Sequence, residues 1–396
     1  MTIIHACIET VTNGRIEDGF LRFENGKILA VGPMSEYVPL DHEIDAGGSM
    51  LLPGFLDIHC HLGMWEDGLN FEGADGNEIT NPATPQLRAI DAINPMDRCF
   101  VEAALGGVTT VVTGPGSANP IGGQMAAIKT GGELHQTGSL PEGTSRKFRM
   151  DDLILKAPVA IKMALGENPK TCYNGKGQTP MTRMGTAAII RETLTKAKRY
   201  MEKLDAAAGD PSKLPEFDAK LDALVPLLRG EIKAHIHAHR ADDIFTAIRL
   251  AKEFGFDYLV IHCSEGHLIA DQLKEEGVFA VVGPLVSDRS KPELRNATTA
   301  NPAYLEKAGV PFAMCTDHPV IPIQYLALQA MVCGADGLTR DTALRALTIL
   351  PAQAIGLADR VGSLEPGKDA DFALYRRDPL LNYERPQAVY ISGHRM

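Results

Sequence analysis

The sequence predicts an α/β chain: a (β/α)8 TIM barrel carrying a small discontinuous β-sandwich formed by both chain ends. Three observations point there. Through the middle of the chain, short apolar strands alternate with helical segments, which implies a parallel sheet. About eight such units fit the central span, the number that closes a barrel. Both ends read instead as short strands and turns, too few at either end to stand alone. The expected division is 1–51 for the first part of the sandwich, 52–363 for the barrel and 364–396 for the second part. A doubly wound open sheet is the competing arrangement, weakened because no G-x-G-x-x-G follows an early strand.

In chain order, residues 3–9 read as a strand. Gly19 to Glu24 and Lys27 to Val31 read as a hairpin around the Asn25-Gly26 turn signal. The barrel strands are expected near 51–61, 107–113, 157–164, 231–238, 258–263, 279–283 and 310–316. Helices are expected over 96–105, 186–204, 241–254 and 267–276, with a peripheral helical insertion over 205–230. Residues 371–375 and 388–392 return as strands to pair with the N-terminal ones. Two stretches break the alternation. Residues 62–95 are rich in Gly, Asn, Asp and Pro and contain the single tryptophan, Trp65. Residues 166–185, after the Lys162 strand, are similarly polar. Loops this long after a barrel strand are expected to shape a site at the C-terminal face.

Composition narrows the partners. With 39 Lys plus Arg against 50 Asp plus Glu, the net charge of −11 argues against nucleic acid and anionic membrane. A small-molecule substrate is the expected partner, with a homo-oligomer left open. The 7 cysteines are scattered and form no C-x-x-C, so reduced thiols in a cytoplasmic protein are expected. No basic and apolar leader opens the sequence, and no apolar run nears the roughly 20 residues a membrane span needs.

The candidate chemistry starts at Leu51-Leu52-Pro53-Gly54-Phe55-Leu56-Asp57-Ile58-His59-Cys60-His61. Residues two apart on a strand point the same way, so His59 and His61 project together with Asp57 below them. Two imidazoles converging from a strand end can hold a transition metal. A second group is His235-Ile236-His237-Ala238-His239, in which His237 is the favoured ligand. His235 then lies one layer deeper, and His239 falls in the following loop. His262 ends the next strand, and Asp317 follows a late one, where it could bind metal or accept a proton. Lys162 ends a buried strand, which is costly for a cation unless it is paired or modified. Carbamylation by carbon dioxide, which makes an anion able to bridge two metals, stands beside a lysine that snorkels or pairs with Glu167.

Taken together these residues resemble the amidohydrolase superfamily. The resemblance rests on residues 53–61, then 107–111, then His237, His262 and Asp317 in order. The segments Pro351 to Gly356 and Gly362 to Phe372 look like that superfamily's return into its small β-domain. The chain most resembles the imidazolonepropionase-like and prolidase-like branch. One departure stands out: the glutamate that imidazolonepropionases and many deaminases carry three residues after the fifth-strand histidine is Arg240 here. The resemblance therefore implies the two-metal arrangement with a fourth-strand lysine, which Lys162 matches.

What the resemblance implies is a metal-dependent hydrolase of a C–N bond. Zn2+, as one or two ions, would be held by His59, His61, Lys162, His237, His262 and Asp317, with other divalent metals able to substitute. The metal would bring the pKa of a water towards neutrality, and Asp317 would pass its proton to the leaving nitrogen. His239 or Tyr173 would stabilise the oxyanion, and Arg240 or Arg183 would grip a substrate carboxylate. Two other readings are a deaminase of a ring amine using one metal, and a non-catalytic relative that keeps only the fold.

Overall fold

A computed structural model describes residues 1–40, 42–66, 69–131 and 150–396. The N-terminal segment supplies five strands: β1 (Thr2–Glu9), β2 (Arg15–Glu24), β3 (Lys27–Pro33), β4 (Glu43–Asp45) and β5 (Met50–Pro53). The barrel strands are β6 (Phe55–Cys60), β7 (Val108–Thr113), β8 (Ile121–Lys129), β9 (Ile154–Ala164), β10 (Lys233–Ala238), β11 (Tyr258–His262), β12 (Ala280–Val282) and β13 (Phe312–Met314). The chain ends in β14 (Phe372–Tyr375), β15 (Ala388–Ile391) and β16 (His394–Arg395).

Strands from the two chain ends form one hydrogen-bonded sheet in the order β16-β15-β14-β5-β1-β2-β3, with β4 beside β1. The hairpin turn is as expected: Asn25 and Gly26 both have positive φ, 50° and 76°, as a two-residue primed turn requires. The sheet doubles over on itself. Phe23 of β2 is three strands away from β14, yet its ring lies 5.2 Å from Phe372 and 5.5 Å from Tyr390. That closure buries Ile3, Ile8, Leu21, Leu51 and Phe372 in a core separate from the barrel's. The small domain is docked through buried charge: Lys129, ending β8, pairs with Asp369 at 2.9 Å and with Asp371.

The barrel has eight strands in the order β6 to β13. It is closed beyond the strand ends, where the Asp317 N–H donates to the His59 carbonyl at 3.2 Å and the His61 N–H to the His318 carbonyl at 2.9 Å. One strand differs from the expected repeat. β8 runs antiparallel to β7 and β9, whereas the other neighbours pair parallel. A short hairpin link from β7 cannot make a parallel crossover, so the next strand must return. Gly123 in β8 has φ 146°, and a Cβ there would meet the Leu87 carbonyl oxygen at 2.8 Å.

Alternation then aims the site residues. On β9 and β10, Ile161, Met163, Ala234 and Ile236 pack with Ile190 and Leu194 of the helix Arg183–Ala207 and with Ala247 and Ala251 of the helix Ala241–Phe254. The residues between them, Lys162, His235 and His237, therefore face the barrel interior. Among the described residues no helix is long and apolar enough to cross a membrane.

Candidate metal centre

Two sets of ligand-type side chains meet at the C-terminal rim: His59, His61 and Asp317, and His237, His239 and His262. In the first set Asp317 Oδ1 lies 3.2 Å from His61 Nε2 and 3.5 Å from His59 Nε2. Lys162 Nζ is 2.9 Å from His59 Nε2. In the second set the rings of His237, His239 and His262 lie 4.5–4.6 Å apart by centroid. His59 and His262, 5.6 Å apart, join the two sets.

The backbone is bent to achieve this. His262, Cys263 and Asp317 have φ of 74°, 45° and 53°. Left-handed backbone at non-glycine residues costs about 1–3 kcal/mol each and persists where surrounding structure enforces it. Asp57 is one such enforcer. It is wholly buried and accepts the His59 N–H at 3.1 Å, the Thr316 N–H at 3.0 Å and the Thr316 hydroxyl at 2.5 Å. It thus ties the first barrel strand to the residue before Asp317. Burial pushes the Asp57 carboxyl up to about 7, against the pull of those hydrogen bonds.

The donor atoms suit a divalent cation. A backbone carbonyl can only accept, so His61 donates from Nδ1 to Gly114 at 2.7 Å, and His262 donates from Nδ1 to Gly283 at 2.7 Å. Each is left with a bare Nε2 lone pair, the form a metal binds. The His262 Nε2 is buried and makes no hydrogen bond among the described residues. Burial drives His59, His237 and His239 well below the ordinary imidazole pKa and His262 to about 4, so all four are neutral at pH 7. Burial raises the Asp317 carboxyl, but His262, His61 and Lys162 outweigh it and hold it down to about 2. Burial lowers Lys162 to about 8. Neutral imidazoles facing one ionised carboxylate are a fitting donor set for zinc.

The other sequence candidates are placed as follows. His239 is not a surface loop histidine; its ring is buried against His262, and Nδ1 pairs with Ser264 Oγ at 2.8 Å. His235 lies deeper, 6.4 Å from His59. Tyr173 is fully buried and donates to Asn119 Oδ1 at 2.6 Å. Arg183 is committed to the buried Asp243, at 2.9 and 3.1 Å, and Arg240 to Asp242, at 2.8 and 3.0 Å. Lys162 does not pair with Glu167, whose carboxylate accepts the Glu293 N–H.

Two site residues had no such role in the sequence reading. Trp65, from the long loop after β6, packs edge-on to His61 at 4.8 Å. Glu293, from the one-turn helix Pro292–Leu294 after β12, faces His237 and His239. Burial raises its carboxyl, but His239 and Lys291 hold it below the usual range.

The chain's likenesses agree with this geometry. The sequence profile of the amidohydrolase family matches residues 50–395. An imidazolonepropionase of Cupriavidus necator is 33% identical over 398 residues, covering 92% of this chain and 85% of that protein. Amidohydrolase tasK of Hapsidospora irregularis is 31% identical over 397 residues; these are 95% of this chain, but the chain spans only 39% of that longer protein. The crystal structure of an amidohydrolase from Thermotoga maritima is 40% identical, covering 100% of this chain and 99% of that one with a TM-score of 0.91. A match running from β5 to β16, over a barrel whose rim gathers the histidines and aspartate described above, identifies the chain as a member of the amidohydrolase superfamily, in its imidazolonepropionase-like branch.

Proposed function

We propose that the protein is a metal-dependent hydrolase that cleaves an amide, cyclic amide or peptide-like C–N bond of a small substrate. The observation that carries this reading is the meeting of His59, His61 and Asp317 with His237, His239 and His262 at one rim. His59, His61, Asp317 and Lys162 would hold one ion. His237 and His262 would hold a second, with Lys162 as bridge. Zinc held there supplies a lowered water pKa and a Lewis acid for the scissile carbonyl.

The chain's own groups do the rest. Asp317, ionised at every working pH, accepts the proton of the attacking water and returns it to the leaving nitrogen. Asp57 and Thr316 hold that carboxylate at the rim. Lys162, lowered by burial to about 8, has a neutral fraction able to add to carbon dioxide. In that step the neutral amine forms an N–C bond, one C=O π bond of carbon dioxide opens to a carboxylate and one proton leaves; counted from the ammonium two protons are lost in all, and the carbamate anion would be the bridge. Of the two oxyanion candidates, His239 is in the cluster, while Tyr173 already donates to Asn119. Arg240 is the better candidate for a substrate carboxylate, because its partner Asp242 is exposed and that of Arg183 is buried.

The same reading assigns 1–51 and 364–396 to the small domain, assigns 52–363 to the catalytic barrel, and takes the enzyme to be cytoplasmic. The test is metal analysis of gently purified protein, followed by assay against acyl-amino acids, dipeptides and cyclic amides. Bound metal with amide cleavage supports the reading. One ion per chain with ammonia release from a ring amine would replace it with deamination. Protein that neither binds metal nor turns over any of these would overturn it.

A further inference from the structure

We propose that Glu293 is a metal ligand, and that with His237 and His239 it holds the second ion of the rim. The proposal rests on the rim being a metal centre, and it adds a carboxylate outside the set that the sequence suggested.

The Glu293 side chain is fully enclosed, and its two oxygens are used differently. Oε2 accepts the Glu167 N–H at 3.0 Å. Oε1 has the Lys291 ammonium beside it at 2.9 Å as an ion-pair partner and otherwise faces the two histidines. It lies 3.6 Å from His237 Nε2 and 3.6 Å from His239 Nε2. That is too long for a hydrogen bond. It is the separation of two ligands sharing one ion: bonds of about 2.0–2.2 Å give tetrahedral edges of about 3.3–3.6 Å. The first cluster has the same spacing, with Asp317 Oδ1 at 3.2 and 3.5 Å from its two histidines.

The surroundings aim these atoms. His237 Nδ1 pairs with Ser117 Oγ at 3.0 Å and His239 Nδ1 with Ser264 Oγ at 2.8 Å, which turns both Nε2 atoms towards Glu293. Gly166 has φ 78°, and a Cβ there would lie 2.6 Å from Glu293 Oε2, so the chain is shaped around this carboxylate. Each ion would then have its own carboxylate, Asp317 for one and Glu293 for the other. His239 serves as a ligand in this arrangement and not as an oxyanion donor.

The competing account is structural. Lys291 Nζ lies 2.9 Å from Glu293 Oε1, and the pair could exist only to neutralise a buried charge. Zinc titration of the chelator-stripped full chain separates the two accounts. Ions per chain are counted by mass spectrometry, and affinity is read by competition with a chromophoric chelator. For Glu293→Gln we expect one ion fewer per chain, or that ion held about 100-fold more weakly, since loss even of an outer partner costs about 10–100-fold. His239→Gln should do the same, and decides the matter if Glu293→Gln does not fold. Lys291→Met should keep the ion, having removed a neighbouring positive charge. Wild-type occupancy and affinity in both Glu293→Gln and His239→Gln would overturn this assignment and leave the hydrolase reading standing. A wild-type protein that binds no zinc would overturn both.

Discussion

The two halves of the rim start from the same device and differ in how much is added to it. His59 and His61 come from one strand end, where the two-residue period of a strand delivers both rings together. Their partner Asp317 is brought to them by the hydrogen bonds that close the barrel. The second half draws His237 and His239 from one strand end, His262 from a left-handed bend and Glu293 from a distant loop. The first half, mostly local, adds one distant residue to its histidine pair, and the second, more fully assembled, adds two. The local half is predicted to carry the proton chemistry and the assembled half to complete the ion-binding set. The sharpest way to break this contrast is Asp317→Asn. It should lower kcat by about 1,000-fold or more while metal stays bound, since a general base contributes about 10²–10⁴. Parallel loss of metal and turnover would mean that Asp317 is a ligand only.

Lys162 tests whether the halves are joined. Lys162→Ala should lower kcat by about 100-fold, and a short aliphatic carboxylate should restore part of it by standing in for the carbamate. If an added carboxylate does nothing while zinc alone restores activity, the bridge is disproved. Sign follows from burial. A lysine lowered to about 8 is mostly protonated at pH 6, and the protonated amine cannot add to carbon dioxide. Reactivation of stripped enzyme by zinc and bicarbonate should therefore quicken as pH rises to about 8 and level off beyond.

Asp57 tests the support beneath the local half. Asp57→Ala strands two backbone N–H groups and a hydroxyl in the interior, each worth about 1–3 kcal/mol. We expect about 3–5 kcal/mol of lost stability by denaturant melts, together with lower kcat as Asp317 loosens. An unchanged melt would show that Thr316 finds other partners.

This contrast also marks what the sequence could reveal. The paired histidines, Lys162, His237, His262 and Asp317 were legible because each ends an apolar run, and strand ends in a barrel share one rim. The N-terminal hairpin was legible from the Asn25-Gly26 turn. Glu293 was not, since Lys291-Pro292-Glu293-Leu294-Arg295 reads as a charged surface turn, and its burial depends on distant residues such as Gly166 and Glu167 folding against it. β8 was missed because Gly122 and Gly123 interrupt its apolar pattern, and an antiparallel insertion has no mark in the alternation of strands and helices. The commitment of Arg183 was hidden because Asp243 lies 60 positions away in the chain, whereas the partner of Arg240, Asp242, is only two residues on.

The gentlest probe of the comparison needs no change to the ligands. Trp65 is the only tryptophan, and its ring lies 4.8 Å from that of His61, in the local half. A cation arriving on His61 alters the charge beside the indole, whereas one on the His237 side sits across the rim. Titrating stripped protein with zinc should therefore change the emission during filling of the first cluster, with a much smaller change for the second. Glu293→Gln should keep the large step and lose the small one. His61→Ala should lose the large step. Equal steps in both variants would mean that Trp65 senses closure of the whole rim, and the division between a local and an assembled half would fail as a description of how the centre fills.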